Sequence, residues 1–226
     1  MTLKVAVVCE AEADFIIASE LCDRLMCETV VWIEGGVLDA FRSYVSAEGD
    51  YRPFLTWARA ESLAKKDGLQ IRGHFQGEPG ALDARAARRA IMVTLMGCSG
   101  VDVIILIRDD DGETERRRGL EQARNESTLR NEIVIGLAHC TREAWVLAGF
   151  IAESDSEEKR LLELRQQLGF NPCSQAERLT AKHHHDRRSP KRVLAVLTDQ
   201  IREREVKCWQ DTSLDTLLAL TALRLV

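Results

Sequence analysis

The chain has 226 residues, 45% hydrophobic and 30% charged, which excludes a disordered polypeptide and leaves one elaborated domain, or a core with a small appendage. A net charge of −5 excludes a uniformly basic, nucleic-acid-coating protein, though not a local basic patch. Seven scattered cysteines without a Cys-x-x-Cys, and no apolar run near the ~18 residues of a membrane span, lead us to expect a cytoplasmic protein with reduced thiols.

Val5 to Val8, running into Cys9, is β-branched and lacks polar alternation, as a parallel strand covered on both faces should. Ala13 to Glu28 repeats apolar residues at helical spacing. Residues 34–80 are rich in glycine and read as an insertion, with a helix near Phe54 to Lys66 and a short strand at Leu69 to Arg72. Leu82 to Met96 reads as a helix and Val103 to Ile107 as a second buried strand. Thr114 to Arg130 is charged enough for a surface helix, and Ile133 to Ile135 is a third strand. After Phe150 come helical stretches at Glu157 to Leu168, Pro190 to Glu205 and Leu214 to Leu225, the second opened by Ser189 as N-cap and Pro190 at N1. Alternating β and α elements predict an α/β domain with a parallel sheet. The expected division is a core over 1–150 and a helical extension over 151–226 packed on it.

Acidic residues fall where these strands end. Glu10 follows the first strand, Asp109, Asp110 and Asp111 follow the second after Arg108, and Glu143 follows the third in Thr141-Arg142-Glu143-Ala144-Trp145. In a parallel sheet the carboxyl ends share one edge, so acids distant in sequence should meet there. Clustered carboxylates repel, and an oxygen-rich set suits Mg²⁺ or Mn²⁺ better than Zn²⁺. Taken singly, Asp109 to Gly112 also reads as a strand-ending turn, Glu10 as a loop acid before a helix capped by Asp14, and Glu143 as a surface helix acid.

A Glu after the first strand and an Asp-x-Asp after a later one resemble the TOPRIM superfamily, the metal-binding fold of topoisomerases, primases and overcoming-lysogenization-defect nucleases. Glu10 matches the Glu, and Asp109 and Asp111 match the Asp-x-Asp. Arg108-Asp109-Asp110-Asp111, Glu143-Ala144-Trp145-Val146-Leu147-Ala148 and Ser189-Pro190-Lys191-Arg192 are similar to small stand-alone TOPRIM-like proteins encoded beside ABC-type ATPases in anti-phage loci. The likeness spans roughly Lys4 to Leu197. The first motif, Cys9-Glu10-Ala11-Glu12, lacks the glycine often found there and leaves both Glu10 and Glu12 as the functional acid. The resemblance implies a TOPRIM-like sheet and a metal-dependent nuclease of anti-phage or anti-plasmid defence, with an ATPase partner. Asp109, Asp111 and Glu10 would hold Mg²⁺ or Mn²⁺, and Glu10 and Glu143 would complete the catalytic set.

A nuclease must also hold the phosphate backbone. Arg178, Lys182, Arg187, Arg188, Lys191 and Arg192 face only the acid Asp186 across this segment, a phosphate-contact patch for DNA ahead of RNA, or else a solvated loop. His183, His184 and His185 are adjacent, so they do not share a helix face and are not expected to form a tri-His site. Arg85, Arg88 and Arg89 form a weaker basic set, and Arg116 to Arg118, matched by Glu113, Glu115 and Glu121, predict a solvated helix. Two other functions stay open. Asp109-x-Asp111-Gly112 resembles a haloacid-dehalogenase phosphatase motif, and a TOPRIM-like domain can also serve as a non-catalytic binding module of a defence complex. The apolar C-terminal helix closes the core or offers a surface for a second copy or a partner.

Overall fold

The computed structural model describes residues 2–30, 32–33, 35–127 and 132–217. It divides into two compact units, 1–108 with 113–137, and 109–112 with 138–226. Residues 109–112 and 138–150 fall in the later unit.

The first unit begins with β1 (Leu3–Cys9) and α1 (Glu12–Thr29). No side chain caps α1 at Ala11; instead Asp14, at the third helical position, accepts from the Ala11 N–H at 2.9 Å. There follow α2 (Leu38–Phe41), β2 (Arg42–Val45), β3 (Leu55–Thr56), α3 (Trp57–Lys66), the hairpin β4 (His74–Phe75) and β5 (Glu78–Pro79), α4 (Ala84–Gly97), β6 (Val103–Asp109), α5 (Glu115–Asn125) and β7 (Glu132–Ala138). The sheet order is β2-β1-β6-β7, with β3 also pairing β1. Strands β2, β3 and β6 all run parallel to β1, in registers that include Ala6↔Val45, Val8↔Leu55 and Val8↔Leu106. This is an α/β fold with a mostly parallel central sheet flanked by helices.

Segment 34–80 is thus not a separate insertion, because it supplies two strands beside β1. The helix expected from Phe54 starts at Trp57, after Leu55–Thr56 has paired with β1, and Thr56 caps it by accepting from Arg59 N at 3.2 Å. Residues 69–72 form no strand; the extended pair falls later, at β4 and β5.

Alternation on the strands fixes the core. Ala6, Val8, Ile104 and Leu106 pack on one side with Ala60 and Ala64 of α3, Ala84, Ala87 and Ala90 of α4, and Leu120 and Ala123 of α5. The intervening Val5, Val7 and Cys9 are also buried, so β1 is covered on both faces. The alanines on α4 recur every three residues and leave room for α5, where a Cβ on Gly119 would sit 1.8 Å from the Leu82 carbonyl oxygen.

The second unit holds α6 (Glu143–Ala148), α7 (Asp155–Leu168), α8 (Pro190–Thr198) and α9 (Arg202–Gln210). Ser154 caps α7 and Gly169 ends it in the left-handed region. The single helix expected over Pro190 to Glu205 is two, because Asp199 and Gln200 both take positive φ. Pro190 occupies N1, but the Ser189 hydroxyl makes no capping bond. A buried ion pair ties α7 to α9: Arg204 Nε donates to Glu157 Oε1 at 2.7 Å and Nη2 to Oε2 at 3.1 Å. Most of the expected C-terminal helix, from residue 218 on, lies outside the described residues. No helix among the described residues is long and apolar enough to cross a membrane, and all seven cysteines are free thiols.

Candidate functional site

The first unit carries Glu10. Since Val8 pairs with Leu106, Glu10 comes level with Arg108 on β6, and Arg108 Nε lies 3.6 Å from Glu10 Oε1. The same nitrogen is 3.2 Å from Asp83 Oδ2, which also takes Arg116 Nε at 2.9 Å. The Arg108 guanidinium stacks 5.0 Å from the Trp57 ring centre, and Trp57 Nε1 donates to the Ile107 carbonyl at 2.8 Å. Arg108 is therefore fixed from three sides and holds Glu10 at the end of β1. Glu12 is exposed in the first turn of α1. Arg116 is buried on Asp83, so α5 is not solvated all round as its charge pattern suggested.

The second unit carries the acid run, where Asp110 has the structural part. Its carboxylate accepts from the Cys140 N–H at 2.7 Å and the Gly112 N–H at 2.8 Å, and meets His139 Nδ1 at 2.7 Å, while its own N–H donates to the Ala138 carbonyl at 2.8 Å. Burial opposes its charge, but these bonds outweigh burial and lower its pKa below the ordinary carboxylate value. Asp111 and Gly112 then take positive φ and turn the chain away. The bond from the Gly112 N–H is that of a local turn, whereas the Cys140 N–H comes from 30 residues away. Lys182 Nζ approaches Asp111 Oδ1 to 4.0 Å.

Glu143 opens α6. Arg142 Nη2 lies 3.2 Å from its Oε1, while Arg142 Nη1 donates to Glu205 Oε1 at 2.9 Å. The other oxygen, Glu143 Oε2, is buried without a hydrogen-bond partner among the described residues. Glu143 is thus not the ordinary surface acid its helix suggested.

Of the six basic candidates, Arg178, Lys182, Arg187, Arg188 and Lys191 are exposed and Arg192 is half-buried. Arg178 stacks on Phe170 at 4.3 Å, Arg187 donates to the Gln167 carbonyl, and Arg192 donates to the His185 carbonyl at 3.4 Å. His184 and His185 meet edge to face, and all three adjacent histidines are exposed.

The donors near Asp111 fit a hard cation. Burial first, then the charges of Asp110, Asp111 and Asp109, raise the pKa of the Cys140 thiol, which disfavours the thiolate a soft metal needs. His139 is engaged with Asp110. Asp109 and Asp111 offer carboxylate oxygens of the kind Mg²⁺ takes, one or two at a time while it keeps several waters. Among the described residues no group of three or more His, Cys, Asp or Glu side chains is gathered to hold a metal ion. Glu10 belongs to the first unit, and Asp109, Asp111 and Glu143 to the second. Sequence reasoning missed Asp83, His139 and the anchoring of Arg108, since single polar residues remote in sequence carry no spacing signal.

Comparison of the chain with protein-family models, curated proteins and solved structures finds no match.

Proposed function

We propose that this chain is a metal-dependent nuclease of the TOPRIM type that cleaves phosphodiester bonds in DNA, or RNA, and acts in the cytoplasm in anti-phage or anti-plasmid defence with an ABC-type ATPase. The observation that carries the reading is the approach of Lys182, from the basic segment, to Asp111, from the acid run. A phosphodiesterase needs both signs of charge at one place: carboxylates for a cation and cations for the backbone. Bound by Asp109 and Asp111, Mg²⁺ or Mn²⁺ would neutralise the scissile phosphate and lower the pKa of an attacking water.

The chain's own groups supply the rest. Lys182 and the neighbouring arginines hold phosphate oxygens. Glu10, beside Arg108 in the first unit, is the acid that the resemblance would make a general acid or base, and its role is left to the Glu10→Ala variant. Glu143, whose Oε2 lacks a bond among the described residues, is an acceptor for a site water or a further cation.

The test is a cleavage panel of supercoiled DNA, linear DNA and RNA, with Mg²⁺, Mn²⁺ or EDTA, with and without an ABC-type ATPase. Metal-dependent nicking that disappears in Asp109→Ala/Asp111→Ala and in Glu10→Ala is the expected result. Undiminished cleavage in those variants would overturn the site. Hydrolysis of a small phosphomonoester alone would favour the phosphatase instead.

A further inference from the structure

A cleft of about 520 Å³ lies in the first unit, lined by Glu48, Tyr51, Arg52, Arg59 and Leu63, none of which the proposed chemistry uses. Its size is that of a small-molecule site. The loop that forms it is pinned from below. The Ser46 hydroxyl, buried, donates to the Phe54 carbonyl at 3.1 Å and accepts from the Glu48 N–H at 3.2 Å. Phe54 is buried in turn and stacks on Phe15 at 5.1 Å. These contacts tie both ends of the loop, at Ser46 and Phe54, to the body of the unit.

Its lining has three unusual properties. Tyr51 is 79% exposed, an uncovered aromatic face at the rim. Arg52 stacks 5.7 Å from the Tyr51 ring centre and 5.9 Å from that of Phe54, and makes no ion pair among the described residues. Glu48 has a side chain only 8% exposed, and both its contacts from Arg59, from Nε and Nη2 at 2.7 Å, fall on Oε1. Its Oε2 is buried and bonded to nothing among the described residues. Arg59 neutralises Glu48, so Arg52 leaves the cleft with one net positive charge. An aromatic platform, a cation and a bare acceptor correspond to the three parts of a nucleotide: a π-face, a phosphate and an N–H on the base edge.

We infer that this cleft binds a nucleotide unit, with the base stacked on Tyr51, the phosphate held by Arg52, and a base N–H directed to Glu48. The unit is either a free nucleotide or one residue of a single strand, and the two share this chemistry.

The experiment is calorimetric titration of the full chain in EDTA, so that cleavage takes no part. The titrants are the four ribonucleoside monophosphates, inorganic phosphate and a short single-stranded oligonucleotide. At least one monophosphate is expected to bind more tightly than inorganic phosphate. Tyr51→Ala and Arg52→Ala should each weaken it about tenfold or more, while Tyr51→Phe retains it. Oligonucleotide binding no tighter than the monophosphate identifies a free-nucleotide site, and tighter binding with the same dependence on Tyr51 identifies a strand path. No binding at millimolar ligand, or affinities unchanged in Tyr51→Ala and Arg52→Ala, overturns the inference. Both residues are exposed, so neither replacement threatens folding. Failure here leaves the cleavage reading standing, and inactivity of the Asp109→Ala/Asp111→Ala protein leaves this one standing.

Discussion

Lys182 Nζ stands 4.0 Å from Asp111 Oδ1, a cation of the basic segment against the acid run, with both side chains partly exposed. At that distance and exposure the pair adds little to stability, about 0–1 kcal/mol. Its interest is functional. Lys182→Ala should leave the urea midpoint unchanged within error, weaken binding of single- and double-stranded DNA, and reduce the salt slope of binding by about one. Binding titrations at several salt concentrations measure this, and an unaltered slope would remove Lys182 from the phosphate contacts.

The three consecutive aspartates should separate by phenotype. Asp109→Asn and Asp111→Asn should each cut metal-dependent cleavage by about 100-fold or more with little change in stability, since removing a metal-binding or charge-stabilising group typically costs that much. Asp110→Ala should instead destabilise the protein by about 1–3 kcal/mol, because it strands the Cys140 and Gly112 N–H groups and His139. Urea unfolding beside the cleavage assay distinguishes them. Equal destabilisation across all three would contradict the division of roles.

The Arg204–Glu157 pair should contribute to the acid limb of stability. A hydrogen bond from Arg204 holds the Glu157 pKa below its ordinary value, against the opposing effect of burial. A depressed folded-state pKa stabilises the protein above the unfolded value of about 4.3, and the contribution is lost as pH falls through the folded value. Glu157→Gln should cost about 3 kcal/mol at neutral pH and flatten the stability profile below about pH 4. Thermal unfolding across pH measures it, and a variant with an unchanged acid limb would show that other carboxylates govern it.

Gly119→Ala should lower stability by about 1–3 kcal/mol or more, because the added methyl meets the Leu82 carbonyl oxygen at 1.8 Å and the Ala84 nitrogen at 2.8 Å. In an open helix the same change would stabilise, so the sign of the shift in urea midpoint tests how tightly α4 and α5 pack.

Apolar β-branched runs are the strands that the sequence makes plain, whether covered on both faces like β1 or open on one like β7, where Val134 is exposed. β1, β6 and β7 are β-branched runs, and each was found within two or three residues of its observed ends. β2 was not, because Arg-Ser-Tyr-Val is half-buried and polar, with Arg42 and Tyr44 spent on Asp23. β3 is two residues long and carries no period at all. The break between α8 and α9 has neither glycine nor proline, since Asp199 and Gln200 adopt left-handed backbone themselves. At the site, the positions of Glu10 and the aspartates relative to strand ends were readable. That Asp110 is the one folded back was not, because its partners His139 and Cys140 lie 29 and 30 residues away.

The membership of residues 109–112 bears on how this polypeptide can be divided. The later unit takes four residues from the middle of the earlier one, so the chain enters it twice. A fragment expressed from residue 138 onward keeps Lys182 and Glu143 but has none of the carboxylates of the acid run, and it leaves His139 and the Cys140 amide without Asp110. Complementation from two separately made pieces cut at 137 would have to restore those bonds across a break in the backbone. Any exchange of residues 138–226 must therefore supply partners for the Asp110 that stays behind.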